Sequence, residues 1–330
     1  MDAIELRQFL LSQQKKQSME DIESVLHLEK VEIDGEEVYL FNYTIDDSKF
    51  TFIEDSIVIT QQPYESYIPL HMHEFIELNY VYQGQCTVEI DSRPIHLKEG
   101  SFIMIDKKTP HLVKETTKND IIKNITLKRD YLSPAFLSRL STQSIISNFL
   151  VNSLLDKRKS NRYLLFNTGQ NRKIADIVNQ IMCEYFDKGL YADEIINSYL
   201  IILFSELIRN NEIVEKYTIQ SEQNNASLIA FLQYIEENYK DCTLTSMAEQ
   251  FNFHPNYLSN LLKKGTGKSF KDLLQLQKIN KAAMILMNSD LPIPEVVEEV
   301  GYSSVTFFYK KFKEIFHMTP YDFRKKNNFQ

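Results

Sequence analysis

Only three cysteines occur in the 330 residues, Cys86, Cys183 and Cys242, and no two of them form a CxxC pair. A zinc ribbon and a disulfide framework are therefore excluded, and a reducing compartment is the simplest setting. Glycine and proline are scarce, at 8 and 9 residues, so there is no collagen-like, low-complexity or broadly disordered signature. Apolar runs are short: the longest, Tyr199 to Phe204, covers about six residues, where a membrane-crossing helix requires roughly 20. The opening MDAIELRQFLL has neither the basic region nor the apolar core of a signal peptide. These absences point to a cytoplasmic protein with no membrane partner.

With 43% hydrophobic residues, the chain is longer than one compact core usually fills, and two or more domains are expected. The formal net charge of −8 argues against nucleic acid until it is counted by region. From Leu228 to the end there are 13 Lys and Arg against 11 Asp and Glu, a balance of +2, while the preceding residues hold 24 against 34, or −10. Acid is thus concentrated away from the C-terminal end, and charge alone leaves DNA binding open.

Residues 1–30 carry helical spacing, with Ile4, Leu6, Phe9 and Leu10 and then Ile22, Val25 and Leu26. From 31 to 132 the texture changes to short runs rich in Val, Ile, Tyr, Phe and Thr, broken by Asp-Gly, Gln-Gly and Lys-Glu-Gly turns, which reads as a β-barrel or sandwich. Within it lie His71, His73, Glu77 and Tyr80, then Gly84, Gly100 and His111. In one extended strand, residues 71, 73 and 77 share parity and face one side. This spacing resembles the cupin signature, in which two His, a Glu and a later His converge inside a small barrel. Glu65 stands at the usual first glycine, and Asp106 and Lys108 replace the second motif's usual Pro and Gly. Three readings stay open. His71, His73, Glu77 and His111 suit a divalent metal with an open position; with Tyr80 they suit a pocket for a small ligand; or they are satisfied packing residues. The ligand pocket is the favoured reading, with no resident cofactor expected and a divalent metal as the alternative.

Residues 133–217 return to helical spacing. Ser133-Pro134 is a helix start, KRKSNR (157–162) breaks the pattern, and helices are expected over 171–188 and 192–211. In the second, Ile195, Ile196, Tyr199, Leu200, Ile202, Leu203, Phe204 and Leu207 form a wide apolar band. It must be covered by the barrel or by a second copy, and a homodimer contact is favoured. Residues 218–227, TIQSEQNNAS, read as a linker.

The last stretch, 228–330, carries one pattern twice. After an amphipathic helix with Leu228, Phe231, Leu232 and Ile235 on one face, Thr243 caps a short helix that turns Leu244, Met247 and Ala248 inward. Pro255 starts the next helix, with Leu258, Leu261 and Leu262 buried and Asn256, Ser259, Asn260 and Lys263 outward. In the second copy, Glu295, Val296 and Val297 form the short helix and Gly301 makes the turn. A helix from Ser303 to about Ile315 then buries Val305, Phe308 and Phe312 and exposes Thr306, Tyr309, Lys310 and Lys313. Between them, 269–288 reads as a rigid spacer helix. Short polar faces of this kind suit the major groove, although a single such face is equally well explained as a solvated helix surface.

The matching residues are Lys281-Ala282-Ala283 with Leu286, Gly301-Tyr302, Phe308 to Lys313, and Thr319-Pro320 followed by Tyr321 and Arg324. Over about 100 residues the region resembles the DNA-binding domain of the AraC/XylS family of transcription regulators. Lys278 stands where the family commonly has Arg, Leu262 for Phe, Val297 for Ala and His317 for Gly. The resemblance implies a cupin-like sensor barrel, a helical linker and dimerisation region, and an all-α double helix-turn-helix domain. It also implies a non-enzymatic regulator that binds promoter DNA, activates through RNA polymerase and responds to a small-molecule effector such as a sugar. By the family's pattern Asn256, Ser259, Asn260, Thr306, Tyr309 and Lys310 face bases, while Lys263, Lys264 and Lys313 meet phosphates. The rival is a metal-dependent cupin enzyme resting on His71, His73, Glu77 and His111; a third reading makes the helical end a protein-docking module.

Overall fold

The computed structural model describes residues 1–16, 29–33, 35–41, 43–46, 49–52, 57–65, 68–140, 144–155, 163–169, 171–209, 213–216 and 226–327. The expected helical spacing at Ile22, Val25 and Leu26, the KRKSNR break and most of the 218–227 linker lie outside those residues. The chain divides into two compact units, Met1–Phe136 with Gln143–Glu222, and Leu137–Thr142 with Gln223–Gln330.

The first unit opens with helix α1 (Ala3–Ser12). The Asp2 side chain accepts from the backbone N–H groups of Ile4 and Glu5, while the Glu5 carboxylate accepts from the Asp2 N–H, a reciprocal cap. The barrel strands follow: β1 (Lys30–Ile33), β2 (Glu36–Phe41), β3 (Tyr43–Asp46), β4 (Lys49–Phe52), β5 (Ile57–Gln61), β6 (Ile68–His73), β7 (Ile76–Gln83), β8 (Gln85–Ile90), β9 (Arg93–Lys98), β10 (Ser101–Ile105), β11 (His111–Val113) and β12 (Ile121–Leu127). Two more come later, β13 (Tyr163–Asn167) and β14 (Ile213–Lys216). One sheet runs β1-β2-β6-β11-β8-β9, the other β14-β13-β10-β7-β12-β5, and β3 pairs with β4. The two large sheets share one core, with Ile68, Val88, Ile95 and Val113 from the first and Val81, Ile103, Ile105 and Ile122 from the second.

The helices of this unit are α2 (Pro134–Leu137), α3 (Ile145–Leu154), α4 (Arg172–Asp187) and α5 (Ala192–Arg209). The wholly helical reading of 133–217 therefore needs correction, because β13 and β14 lie within it. The buried strand β10 pairs with β7 on one side, and β13 covers its other edge, whose backbone groups would otherwise lack partners. On α5, Ile196, Leu200, Leu203, Phe204 and Leu207 are buried, whereas Ile195 and Tyr199 are half-buried and Ile202 is 43% exposed.

The second unit contains α6 (Ala226–Glu237), α7 (Leu244–Phe251), α8 (Pro255–Thr266), α9 (Phe270–Asn288), α10 (Ile293–Glu299), α11 (Val305–Phe316) and α12 (Pro320–Asn327). The face of α6 formed by Leu228, Phe231, Leu232 and Ile235 is buried. Helix α9 buries Ile279, Ala282, Ala283 and Leu286 against Val296, Val297, Phe308 and Phe312 of the second repeat, so it belongs to that repeat's core as well as separating the two. Among the described residues no helix is long and apolar enough to cross a membrane.

Candidate functional site

In the first repeat, the Thr243 hydroxyl accepts the Ser246 N–H at 3.0 Å while the Ser246 hydroxyl accepts the Thr243 N–H at 3.0 Å, which fixes the start of α7. Met247 and Ala248 are buried and Leu244 is half-buried. The helix ends on Asn252 at φ 55, and the Phe253 N–H returns to the Ala248 carbonyl at 3.0 Å. Asparagine supplies here the left-handed residue that such turns require. Pro255 then opens α8 at its first position, and His254 Nδ1 accepts the Asn256 N–H at 3.2 Å. Leu258, Leu261 and Leu262 are buried; Asn256, Asn260, Lys263 and Lys264 are exposed, with Ser259 half-buried.

The second repeat has the same grammar. Gly301, at φ 75, makes the turn, and the Tyr302 N–H returns to the Val297 carbonyl at 3.0 Å. Ser304 caps α11, whose Thr306, Lys310 and Lys313 are exposed while Phe308 and Phe312 are buried. Two expectations change here. Val305 is not in the buried stripe: it opens the helix ahead of the core and stays 41% exposed. Tyr309 is half-buried and packs against the second-repeat core, so it presents less of itself to the outside than Ser259's neighbours do.

Helix positions correspond at an offset of 50 (256 to 306, 267 to 317), but the left-handed turn residues at an offset of 49 (252 to 301). The second turn is therefore one residue longer, with Ser303 as the extra residue. The helix ends match too: the N–H of Gly267, at φ 74, returns to the Lys263 carbonyl, and that of His317, at φ 55, to the Lys313 carbonyl, both at 2.9 Å. His317 thus keeps the backbone of the glycine it replaces. Val297 is accommodated in the core at 2% exposure. Lys278 of α9 explains why a long cation stands at its position, for its Nζ donates to the carbonyls of Lys240 at 3.0 Å and Gly301 at 2.8 Å. Burial lowers its pKa. The Tyr302 hydroxyl donates to Gln275 Oε1 on the same helix.

In the barrel, His71 and His73 lie on β6 and Glu77 on β7, so the expectation of one continuous strand does not hold. The residues still converge, because β6 and β7 belong to facing sheets and β11 sets His111 directly opposite His71. The three imidazoles each offer a ring nitrogen, all within 4.8 Å of one another. Tyr80 does not join them: strand alternation turns it to the other face of β7, against Phe102 at 4.4 Å. Glu65 and Lys108, at the positions where cupins usually have glycine, adopt left-handed φ values of 52 and 58.

Each imidazole Nδ1 lies against a backbone carbonyl, His71 with Pro69 at 2.8 Å, His73 with Phe75 at 2.8 Å and His111 with Thr109 at 2.9 Å. A carbonyl only accepts, so Nδ1 carries the hydrogen and Nε2 of each neutral ring presents a lone pair. His73 and His111 turn Nε2 toward Glu77 Oε2 at 3.5 and 3.4 Å, and both nitrogens are buried without a hydrogen bond. Lone pairs facing a carboxylate call for a proton or a cation between them. Burial, followed by the neighbouring His111 and His73, pushes the His71 imidazole well below its usual value. Burial alone would raise the Glu77 carboxyl, but the facing His111 and His73 nitrogens hold it well below the carboxylate range, an effect that requires a proton or cation shared between them. Three nitrogens and one carboxylate, with each ring oriented by a carbonyl, fit a divalent metal.

The cluster borders a cavity of about 70 Å³, lined also by Gln62, Asn79, Asn124 and Thr126. These four came into no sequence reading of the site. Their positions were available from alternation: Asn79 shares parity with Glu77, and β12 sets Asn124 opposite Asn79 and Thr126 opposite Glu77.

A family model described as a helix-turn-helix domain matches residues 247–326, and a cupin domain model matches residues 57–122. The chain is 22% identical over 271 residues to the uncharacterized HTH-type transcriptional regulator YdeC of Bacillus subtilis, covering 81% of this chain and 89% of that protein. It is 23% identical over 261 residues to the HTH-type transcriptional activator RhaS of Salmonella paratyphi A, covering 78% and 87%. Among solved structures, the C-terminal domain of AraT, a response regulator from Geobacillus stearothermophilus, is 37% identical over 30% of this chain and 84% of that chain, with a TM-score of 0.29.

Proposed function

The chain belongs to the AraC family of helix-turn-helix transcription regulators, with a cupin domain ahead of the DNA-binding domain, and from this premise we propose that it activates transcription by docking two recognition helices on one promoter under the control of its barrel. One observation supports the reading most: the outward faces 256/259/260/263 and 306/309/310/313 recur on helices with matched C-terminal caps. Asn256, Ser259, Asn260, Thr306, Tyr309 and Lys310 are assigned to bases, and Lys263, Lys264 and Lys313 to phosphates, where they fix register without reading sequence.

The barrel's occupant is the effector. A cavity of about 70 Å³ is far below the roughly 300 Å³ at which pockets for drug-sized ligands begin, which favours an effector smaller than the sugar that the family resemblance implies. Where a divalent ion is resident, His71, His73, His111 and Glu77 hold it, and it supplies a Lewis-acid position for an oxygen ligand. The half-covered edge of α5 formed by Ile195, Tyr199 and Ile202 is assigned to a homodimer contact, and the activating partner is RNA polymerase in the cytoplasm.

Mapping promoter occupancy across the genome supplies the operator. Gel-shift titration of the full chain on that operator and on random DNA, at several salt concentrations, then tests the reading. Tight salt-dependent binding that prefers the operator is expected; binding of both DNAs alike would sink it.

A further inference from the structure

Five residues lining the barrel cavity each bury a side-chain atom without a hydrogen-bond partner, His73 Nε2, Gln62 Nε2, Asn79 Oδ1, Asn124 Oδ1 and Thr126 Oγ1, and His111 Nε2, in the histidine cluster beside it, is a sixth such atom. Buried polar groups are nearly always paired, and each orphan costs desolvation energy that nothing in the protein returns. Five in one cavity, with a sixth beside it, mark a place built for something else.

The orphans sort by chemistry and by position. At one end stand the histidines and Glu77, a set of metal donors. At the other, Asn79 and Asn124 are direct cross-strand partners on β7 and β12, and Thr126 lies opposite Glu77. Gln62 Nε2 can only donate, the Thr126 hydroxyl can donate, and the two Asn Oδ1 atoms can only accept. An occupant must therefore accept from two groups and donate to at least one of two neighbouring acceptors. Charge adds a second constraint. A divalent ion on three neutral imidazoles and one carboxylate leaves a single positive charge. No other side chain lining the cavity is ionised at neutral pH, and an uncompensated buried charge is costly. A monoanion cancels it.

We propose that the barrel cavity binds a small hydroxycarboxylate, its carboxylate at the metal held by the histidine cluster and within reach of Gln62 and Thr126, and its hydroxyl donating to Asn79 or Asn124. A neutral diol leaves the charge uncancelled, and a simple carboxylate leaves the Asn oxygens without a donor. The cavity restricts the acid to a few carbons. This rests on the reading of the barrel as the effector site, and it names the class of effector.

The test uses the full chain, stripped of metal and titrated with Co²⁺, whose visible absorption reports its ligands. Saturable binding of one ion per chain is expected, lost in His73→Ala and His111→Ala. Glycolate should then shift the cobalt spectrum at concentrations about tenfold lower than acetate or ethylene glycol. Asn124→Leu should keep the cobalt and lose that preference, while Thr126→Val should keep the cobalt and weaken glycolate and acetate alike; Thr126→Val is close to isosteric, so the result does not depend on a variant that fails to fold. Failure of the chain to take up cobalt, or equal response to all three probes, or an unchanged glycolate preference in Asn124→Leu together with unchanged glycolate and acetate affinity in Thr126→Val, overturns the proposal. Operator affinity is measured in the same samples. Glycolate that binds as expected without altering operator affinity would leave the site standing and remove its regulatory role.

Discussion

Lys278 and Gly301 are joined by a 2.8 Å hydrogen bond from the lysine ammonium to the glycine carbonyl. The same ammonium holds Lys240, so one buried cation ties the segment after α6 to the turn of the second repeat. A Cβ on Gly301 would lie 3.0 Å from that nitrogen and 3.1 Å from the Lys240 carbonyl.

Replacing Lys278 with Met removes the donor and strands both carbonyls, at a cost of about 1–3 kcal/mol per orphaned group before water compensates. Lys278→Arg should retain most of the stability, because its guanidinium offers more donors. Chemical unfolding of the full chain, followed by hydrogen exchange at the second repeat, distinguishes the two variants.

His317 occupies a backbone region that glycine enters freely. His317→Gly should stabilise the C-terminal unit by about 0.5–1 kcal/mol, and the converse Gly267→His should destabilise it by a similar amount or more. The denaturation midpoint of each variant is the measurement. A His317→Gly variant less stable than the parent would show that the imidazole makes a contribution larger than the strain.

Asn260→Ala and Lys310→Ala should each weaken operator binding by about 1–3 kcal/mol relative to random DNA, whereas Lys263→Ala should weaken both alike and lower the salt slope by about one. Titration at several salt concentrations reads both quantities. Equal losses on the two DNAs for Asn260→Ala would remove its assignment to a base.

Acid should unfold the barrel in two stages. The His71 imidazole is depressed in the fold from its usual 6.5, so below that value the unfolded chain takes up a proton that the native state refuses, and stability falls with pH. The Glu77 carboxyl is also depressed, from 4.5; its contribution is complete above that value and is lost as pH falls through the folded one. Thermal midpoints of the metal-free chain, measured from pH 8 downward, should decline from about 6.5 and continue to decline below about 4.5. His71→Gln should flatten the first stage.

What could be read in advance depended on how local the chemistry is. Thr243, Pro255 and the leucine stripe of α8 announce themselves because capping and helical periodicity involve neighbours in sequence. The turn at Asn252 was harder to see, since asparagine stands where glycine would have been the signal. Strand β13 is short and follows helices, so nothing local in its sequence separates it from a helical region, and only its pairing with β10 makes it a strand. The histidines were found by spacing, but the reason they converge is the facing of two sheets. Tyr80 lies close to the cluster in sequence, but its even position, against the odd positions of Glu77 and Asn79, sends it to the other side of β7. The amide and hydroxyl wall required knowledge of which strands are neighbours.

The unequal repeats have a consequence for the DNA itself. A pair of identical subunits related by a two-fold axis reads a palindrome, which is the same from either end. Here two different faces, Asn256 to Lys263 and Thr306 to Lys313, follow one another in fixed order along one chain, with a longer turn in the second. If both faces read bases as proposed, the sequence matched by one molecule has no such symmetry: it has a left and a right, and a protein bound to it would point along the promoter in one direction.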